Sequence, residues 1–329
     1  MISGAMNIFK VGLIGCGLMG QKRAAALPLS CELSASCDIK YDLAEQLASK
    51  HPECQAYADW LEVIKRKDLD IIIISTIHAL LAPIALAAIE AGKHVLLEKP
   101  GAISTTEIAD LIDAQKKSKV AVQLGFNHRQ HPAVLKAKQL VQEGVLGPVY
   151  YIRANYGHGA RVGYQNEWRM DKQLSGGGQL IDQGMHLIDL TRWFLGEFSH
   201  ISGRTHSYYW SASVEDNAFV HLETVQGQTA FLHTSLTEWK NRFIFEIIGR
   251  DGKLDINGLG GSYGTESLTL YKMLPEMGPP ETTIWEFPFA DSSWKLEMEN
   301  LINSILAKEE PCPNLFDAQQ ALAIVEKII

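Results

Sequence analysis

Residues 11–28 read VGLIGCGLMGQKRAAALP, and this stretch decides how the rest of the chain is parsed. An apolar run meets Gly15, Gly17 and Gly20 in the spacing G-x-G-x-x-G, and an alanine-rich segment follows. Read as strand, turn and helix, each glycine has its own task. The first allows the sharp turn, the second lets backbone approach a pyrophosphate, and the third lets the helix pack close to the strand. The N–H groups at the helix start, including those of Leu18 and Met19, then face the phosphates. A tight strand-to-helix turn with no ligand would use the same letters, so residues further on must decide. Asp38 ends the predicted second strand, 23 positions after Gly15, near the spacing of about 20 at which a carboxylate meets the ribose hydroxyls. Such a carboxylate repels a 2′-phosphate, which favours NAD; Lys40, two residues on, keeps NADP open. The other reading of Asp38 is a solvated strand end.

Working outward, residues 8–124 alternate strand and helix. Strands are predicted at FKVGLIGC, ELSASCDI, 55–57, DLDIIIIST, HVLLEK and VAVQLGF, with helices from about 18, over YDLAEQLASK, at 59–66, at APIALAAIEAG and at 104–118. Pro83 is placed in the first turn of the fourth helix and Gly92 just past its end. This order implies a doubly wound parallel sheet. After 125 a helix is predicted near 131–142, a strand at VYYIRANY, a Gly-rich stretch and a helix from 179 to 195. Seven short alternating segments from 200 to 290 follow, then helices near 293–307 and 315–328. The expected architecture is α/β: residues 1–124 a dinucleotide-binding domain, and 125–329 a second α/β domain on a largely antiparallel sheet. PEMGPP at 275–280 is expected to be an exposed loop.

Composition excludes several classes. The 329 residues are 46% hydrophobic and 21% charged, with net charge −8. Nucleic acid is disfavoured as main partner because phosphate neutralisation needs concentrated Lys and Arg; KRK at 65–67 reads as a solvated helix end. Five cysteines, an odd count with no Cys-x-x-Cys, point to a reduced compartment without structural zinc. Lys10 interrupts the first apolar run, so no signal peptide is expected, and the chain is assigned to the cytoplasm. Pro, His or charge breaks every long apolar segment, so no membrane helix is expected. MISGA before Met6 reads either as a native extension or as a cloning remnant.

Two constellations carry chemistry. HVLLEKP ends on Glu98, Lys99 and Pro100, and ligands of parallel sheets bind outside the carboxyl ends of strands; an ordinary surface lysine is the alternative. GGGQLIDQGMHLIDL spaces Asp182, His186 and Asp189 at i, i+4 and i+7, one helical face. Leu187, Leu190 and Phe194 make an apolar stripe on another. Gly176, Gly177 and Gly178 let a ligand or another backbone come close. A histidine beside a carboxylate can accept a proton near neutral pH. The competing readings are a merely solvated face or a zinc site, the latter without an evident third soft ligand. NHRQH at 127–131 reads as a turn before a helix rather than a metal site.

GLIGCGLMG, AAIEAGKHVLLEKP, GFNHRQHP and WRMDKQLSGGGQLIDQGMHLIDL together resemble the Gfo/Idh/MocA oxidoreductase family over essentially the whole chain. The resemblance implies an N-terminal Rossmann domain and a C-terminal domain with an open, mostly antiparallel sheet that forms a homodimer or homotetramer interface. It implies a nicotinamide-dependent dehydrogenase acting on a secondary alcohol of a sugar, cyclitol or nucleotide sugar. Lys99, Asp182 and His186 are then catalytic, and a cis bond before Pro100 is expected. Glu98 would hold Lys99 or the nicotinamide ribose. Where the family often reads Thr-Pro-Asn and a later His, this chain has STIHALLAP, placing Ile77, His78 and Leu81 there; Ser75, Thr76 and His78 would still line the cofactor cleft. Asn127, Arg129, Tyr156, His158, Trp168 and Arg169 are the implied substrate contacts, the two arginines suited to an anionic group. A glycosidase working by transient oxidation and a non-catalytic cofactor sensor are the alternatives on this scaffold.

Overall fold

The computed structural model describes residues 8–276 and 278–329. The chain divides into two compact units, residues 1–126 with 294–319, and residues 127–293 with 320–329. The expectations for MISGA and for Met277 lie outside the described residues.

In the first unit, strands β1 (Phe9–Ile14), β2 (Cys31–Cys37), β3 (Gln55–Tyr57), β4 (Ile71–Ile74), β5 (His94–Glu98) and β6 (Val122–Gly125) alternate with helices α1 (Leu18–Ala25), α2 (Tyr41–Ala48), α3 (Trp60–Lys65), α4 (His78–Glu90) and α5 (Thr105–Ser118). All strand pairings are parallel, in the order β3-β2-β1-β4-β5-β6. β4 is four isoleucines, all buried, as a central parallel strand covered on both faces requires. The order reverses between β1 and β4, which leaves a crevice at their carboxyl ends. α4 starts earlier than its composition predicts. Ile77, in an extended conformation, caps it, so Pro83 falls in its second turn rather than its first.

The second unit holds α6 (Pro132–Gln142), β7 (Val149–Gly157), α7 (Lys172–Ser175), a π-turn at Leu180–Gly184 and α8 (Met185–Leu195). Strands β8 (Phe198–His206), β9 (Asn217–Thr224), β10 (Thr229–Ser235), β11 (Arg242–Gly249), β12 (Gly252–Asn257), β13 (Glu266–Lys272) and β14 (Glu281–Phe287) follow. With β7 they make one sheet, β14-β13-β12-β11-β7-β10-β9-β8, in which only β7–β10 is parallel. Pro275, Glu276, Gly278 and Pro279, between β13 and β14, are exposed.

Helices α9 (Ser293–Ala307) and α10 (Leu315–Glu326) end the chain. The sequence reading places both in the second domain, but residues 294–319 belong to the first unit. Met298, Leu301 and Ile302 pack into one apolar cluster with Val11, Leu33 and Ile73. Glu297, fully buried, pairs with Arg23 of α1. No helix among the described residues is long and apolar enough to cross a membrane.

Candidate functional site

The first unit builds a dinucleotide cradle from the glycine turn. Gly15 has φ +97°, and a Cβ there would lie 2.5 Å from the Ser75 carbonyl oxygen. Ser75 clasps the turn: its N–H donates to Ile14 and its hydroxyl to Gly15 O, each at 2.8 Å. A Cβ on Gly20 would sit 1.9 Å from Gly15 O, so α1 can approach β1 only without one. Gly17 differs. A Cβ there would meet nothing within 4 Å, and no side chain caps α1 at this point. Backbone N–H groups therefore border open space, as a pyrophosphate requires. Leu18 is exposed and Met19 half-buried at this edge. Asp38 is planted beside it: one carboxylate oxygen accepts from Cys16 N–H at 2.8 Å and the other from Lys40 N–H at 2.9 Å. Thus Lys40 contributes its backbone to hold the carboxylate. Burial, and then Asp38, push the Cys16 thiol up to about 12. The turn, the open space and the carboxylate together fit a dinucleotide.

Thr76 donates its hydroxyl to Ile77 O at 3.2 Å, and His78 is buried at the start of α4. Lys99 is half-buried after β5, and the bond to Pro100 is cis. Glu98 departs from expectation. Its carboxylate turns inward to Arg23, with Nε at 2.7 Å and Nη2 at 2.6 Å. Arg23 also holds Glu297 and lies 4.5 Å from the Trp294 ring centre. The Glu98 side chain is thus committed to a buried ion cluster, because an unpaired guanidinium there would be costly.

In the second unit the π-turn and α8 carry the other candidates, and one polar face resolves into separate partnerships. Asp189 is buried and takes the fork of Arg129, Nε at 2.8 Å and Nη2 at 2.5 Å. Arg129 is therefore spent on a carboxylate of its own chain, which corrects its reading as an anion contact. Asp182, in the π-turn, meets Arg169 Nε at 3.4 Å. Arg169 in turn covers the Trp168 ring at 4.5 Å and has Glu167 at 3.7 Å. His186 stacks on His128, ring centres 3.8 Å apart. Asn127 places His128: its carbonyl lies 3.3 Å from His128 Nδ1, while its amide donates to Ser293 Oγ at 2.9 Å.

Asp182 is ringed by groups that feel its charge. Burial lowers the His158 imidazole below its ordinary value, against the opposing pull of Asp182 and with help from Arg169 and Arg161. Burial raises Tyr156 far above the ordinary phenol, with Tyr263 and Asp182 adding to it. Tyr164 and Tyr263 are raised for the same first reason, and both feel Asp182. The Tyr156 and Tyr263 rings are 5.4 Å apart. Neutral imidazole, phenols and an aromatic plane around one carboxylate can bind the hydroxyls and C–H face of a polar ring.

The three glycines have different tasks: Gly176 ends α7 in the left-handed conformation, Gly177 faces the Ile181 side chain, and Gly178 admits another backbone. A Cβ on Gly178 would sit 1.9 Å from the Glu215 carbonyl oxygen. The Glu215 carboxylate accepts from the N–H groups of Gly178 and Leu180 at 3.0 and 3.1 Å, so it caps the π-turn that carries Asp182. Sequence reasoning missed Glu215, His128, Tyr263, Arg23 and Glu297. No spacing rule reaches them, since their partners are far away in the chain. The two histidines of NHRQH were the one available signal for His128.

Comparison with known proteins agrees with this geometry. Residues 9–126 match the oxidoreductase family with an NAD-binding Rossmann fold, GFO/IDH/MocA, and residues 134–255 match its C-terminal domain. A levoglucosan dehydrogenase of Pseudarthrobacter phenanthrenivorans is 32% identical over 68% of this chain and 60% of its own length. An inositol 2-dehydrogenase/D-chiro-inositol 3-dehydrogenase of Lactiplantibacillus plantarum is 22% identical over 94% of this chain and 87% of its own. The solved levoglucosan dehydrogenase complex with NADH and levoglucosan superposes with TM-score 0.87 at 25% identity, covering 97% of this chain and 96% of the other. The first of these relatives is thus matched over less than two thirds of its length.

Proposed function

The chain belongs to the Gfo/Idh/MocA oxidoreductase family, and on that premise we propose that it is an NAD-dependent dehydrogenase oxidising a secondary alcohol of a sugar or cyclitol. The observation that carries the reading is the glycine turn: open at Gly17, closed at Gly15 and Gly20, with Asp38 anchored to it through Cys16 N–H. Bound NAD supplies the hydride acceptor.

The chain's own residues do the rest. His186, stacked on His128 at 3.8 Å, takes the proton of the reacting hydroxyl. Lys99, which follows β5 in the first unit, is a cationic hydrogen-bond donor of the kind that offsets negative charge developing on an alkoxide. Asp182 favours the charged imidazolium once it forms. Asn127, Tyr156, His158, Trp168 and Arg169 orient the substrate. Arg129 and Glu98 are positioning residues, which hold Asp189 and Arg23. The protein works in the cytoplasm, and it assembles as a homodimer or homotetramer through the eight-stranded sheet, whose outer face exposes Phe219 and Phe231.

Lys99→Met and His186→Ala test the roles. Each is expected to lower kcat by about 10²–10⁴-fold, the worth of a positioned proton-transfer group, while NADH titration by fluorescence still shows binding. A loss under tenfold from His186→Ala means that the ring only packs.

A further inference from the structure

Two large aromatic side chains of the second unit face solvent side by side. Trp239 is 62% and Tyr209 64% exposed, and their rings stand 4.9 Å apart at 84°, an open right-angled corner. Neither is loosely held. Trp239 has φ +57°, a left-handed backbone that is an outlier for a bulky residue and persists only where its surroundings hold it. The Lys240 N–H returns to Glu238 O at 2.6 Å and closes a three-residue turn on it. Asn155 grips the Glu238 side chain at 2.9 Å. On the other side, the N–H groups of Tyr208, Tyr209 and Trp210 all donate to the Asp216 carboxylate, at 2.8–3.1 Å. Burial pushes that carboxyl up, but Asn217 and these N–H groups outweigh it and hold it below the ordinary range.

The corner is continuous with the site around Asp182. Gly159 lies directly beneath Trp239, where a Cβ would be 3.1 Å from Trp239 Cα, and its neighbour is His158. A second route runs from Tyr209 to Trp210 at 5.2 Å, from Trp210 to Tyr164 at 6.0 Å, and from Tyr164 to His158 at 6.1 Å. Two rings are too little apolar surface for a protein interface, which needs about 800 Å² per partner. Rigid aromatics with polar neighbours in Lys240 and Asn241 suit a ring with one C–H face and hydroxyls at its edge.

We propose that Tyr209 and Trp239 form an outer subsite for a second sugar ring, so that the substrate is a glycoside of at least two rings. The proposal rests on the dehydrogenase reading above for its chemistry, but its binding test does not. Saturation-transfer NMR on the NAD-loaded full chain, with cellobiose and with maltose as probes, is expected to show saturation of both sugar rings. Trp239→Ala and Tyr209→Ser, both at exposed positions, are expected to remove it from one ring. In initial-rate assays, the kcat/KM ratio of the better disaccharide to D-glucose is expected to fall roughly three- to tenfold in Trp239→Ala, the scale of one aromatic contact.

An unchanged ratio, or no saturation of the second ring with either disaccharide, overturns the subsite. So does a change of molecular mass of Trp239→Ala in size-exclusion chromatography with light scattering, which makes the corner a contact between copies. Saturation through Trp239 without NADH formation on any sugar keeps the subsite and refutes the dehydrogenase. NADH formation without second-ring saturation does the reverse.

Discussion

Gly17→Ala and Gly20→Ala add the same methyl group three residues apart and are expected to fail in opposite ways. At Gly20 the new Cβ would lie 1.9 Å from a backbone oxygen, Gly15 O. Backbone cannot rotate away, so α1 must shift from β1. Overpacking of this kind costs about 1–3 kcal/mol, or more where the obstacle is main chain. At Gly17 the Cβ meets nothing within 4 Å, and its φ of −67° is open to any residue. Loss of a glycine cap against the gain in unfolded-state entropy leaves stability within about 1 kcal/mol. The methyl instead occupies the space over the N–H groups of the turn. Losing one hydrogen bond to a charged phosphate costs about 1.5–3 kcal/mol, roughly 10- to 150-fold in NADH affinity. Urea denaturation without cofactor and calorimetric titration with NADH separate the two effects. Normal NADH affinity in a folded Gly17→Ala protein refutes the cradle; a Gly17→Ala protein as destabilised as Gly20→Ala refutes the packing account.

Three further outcomes follow from the same structure. Asp38→Ala is expected to weaken NADH by about 1.5–3 kcal/mol and relax discrimination against NADPH, measured by paired titrations; a wild type that prefers NADPH contradicts the ribose assignment. Arg23→Met leaves Glu98 and Glu297 buried without their cation, and chemical denaturation is expected to show a loss of about 3–5 kcal/mol. Burial raises the Glu215 carboxyl above the ordinary range, so the folded chain binds its proton more tightly than the unfolded one. That contribution is full below the unfolded value of about 4.3 and is lost as pH rises through the raised value. Glu215→Gln, denatured across pH 4–8, is expected to lose this slope and also to lower kcat by loosening the turn under Asp182.

Much of the fold was legible because its causes are local. The four isoleucines of β4, the run into Gly15 and Gly92 just past α4 each state a backbone preference within a few residues. Asp38 was legible because a strand-turn-helix unit sets its distance from Gly15. The candidate site was legible only in part. Asp182, His186 and Asp189 have the spacing of one helical face, yet a π-turn opens that helix and Asp182 and Asp189 meet different arginines. The three glycines announced a close approach without saying that it happens at Gly178 and that Glu215 is what approaches.

By itself, then, the sequence determined the elements, their alternation and the cofactor turn, since periodicity and glycine stereochemistry act between near neighbours. Which charge meets which was decided only by the tertiary structure. Glu98 to Arg23, Arg129 to Asp189 and the return of α9 to the first unit each join residues 60 or more positions apart. Buried ions take whichever partner the packed chain brings within reach, and that is a property of the fold rather than of spacing.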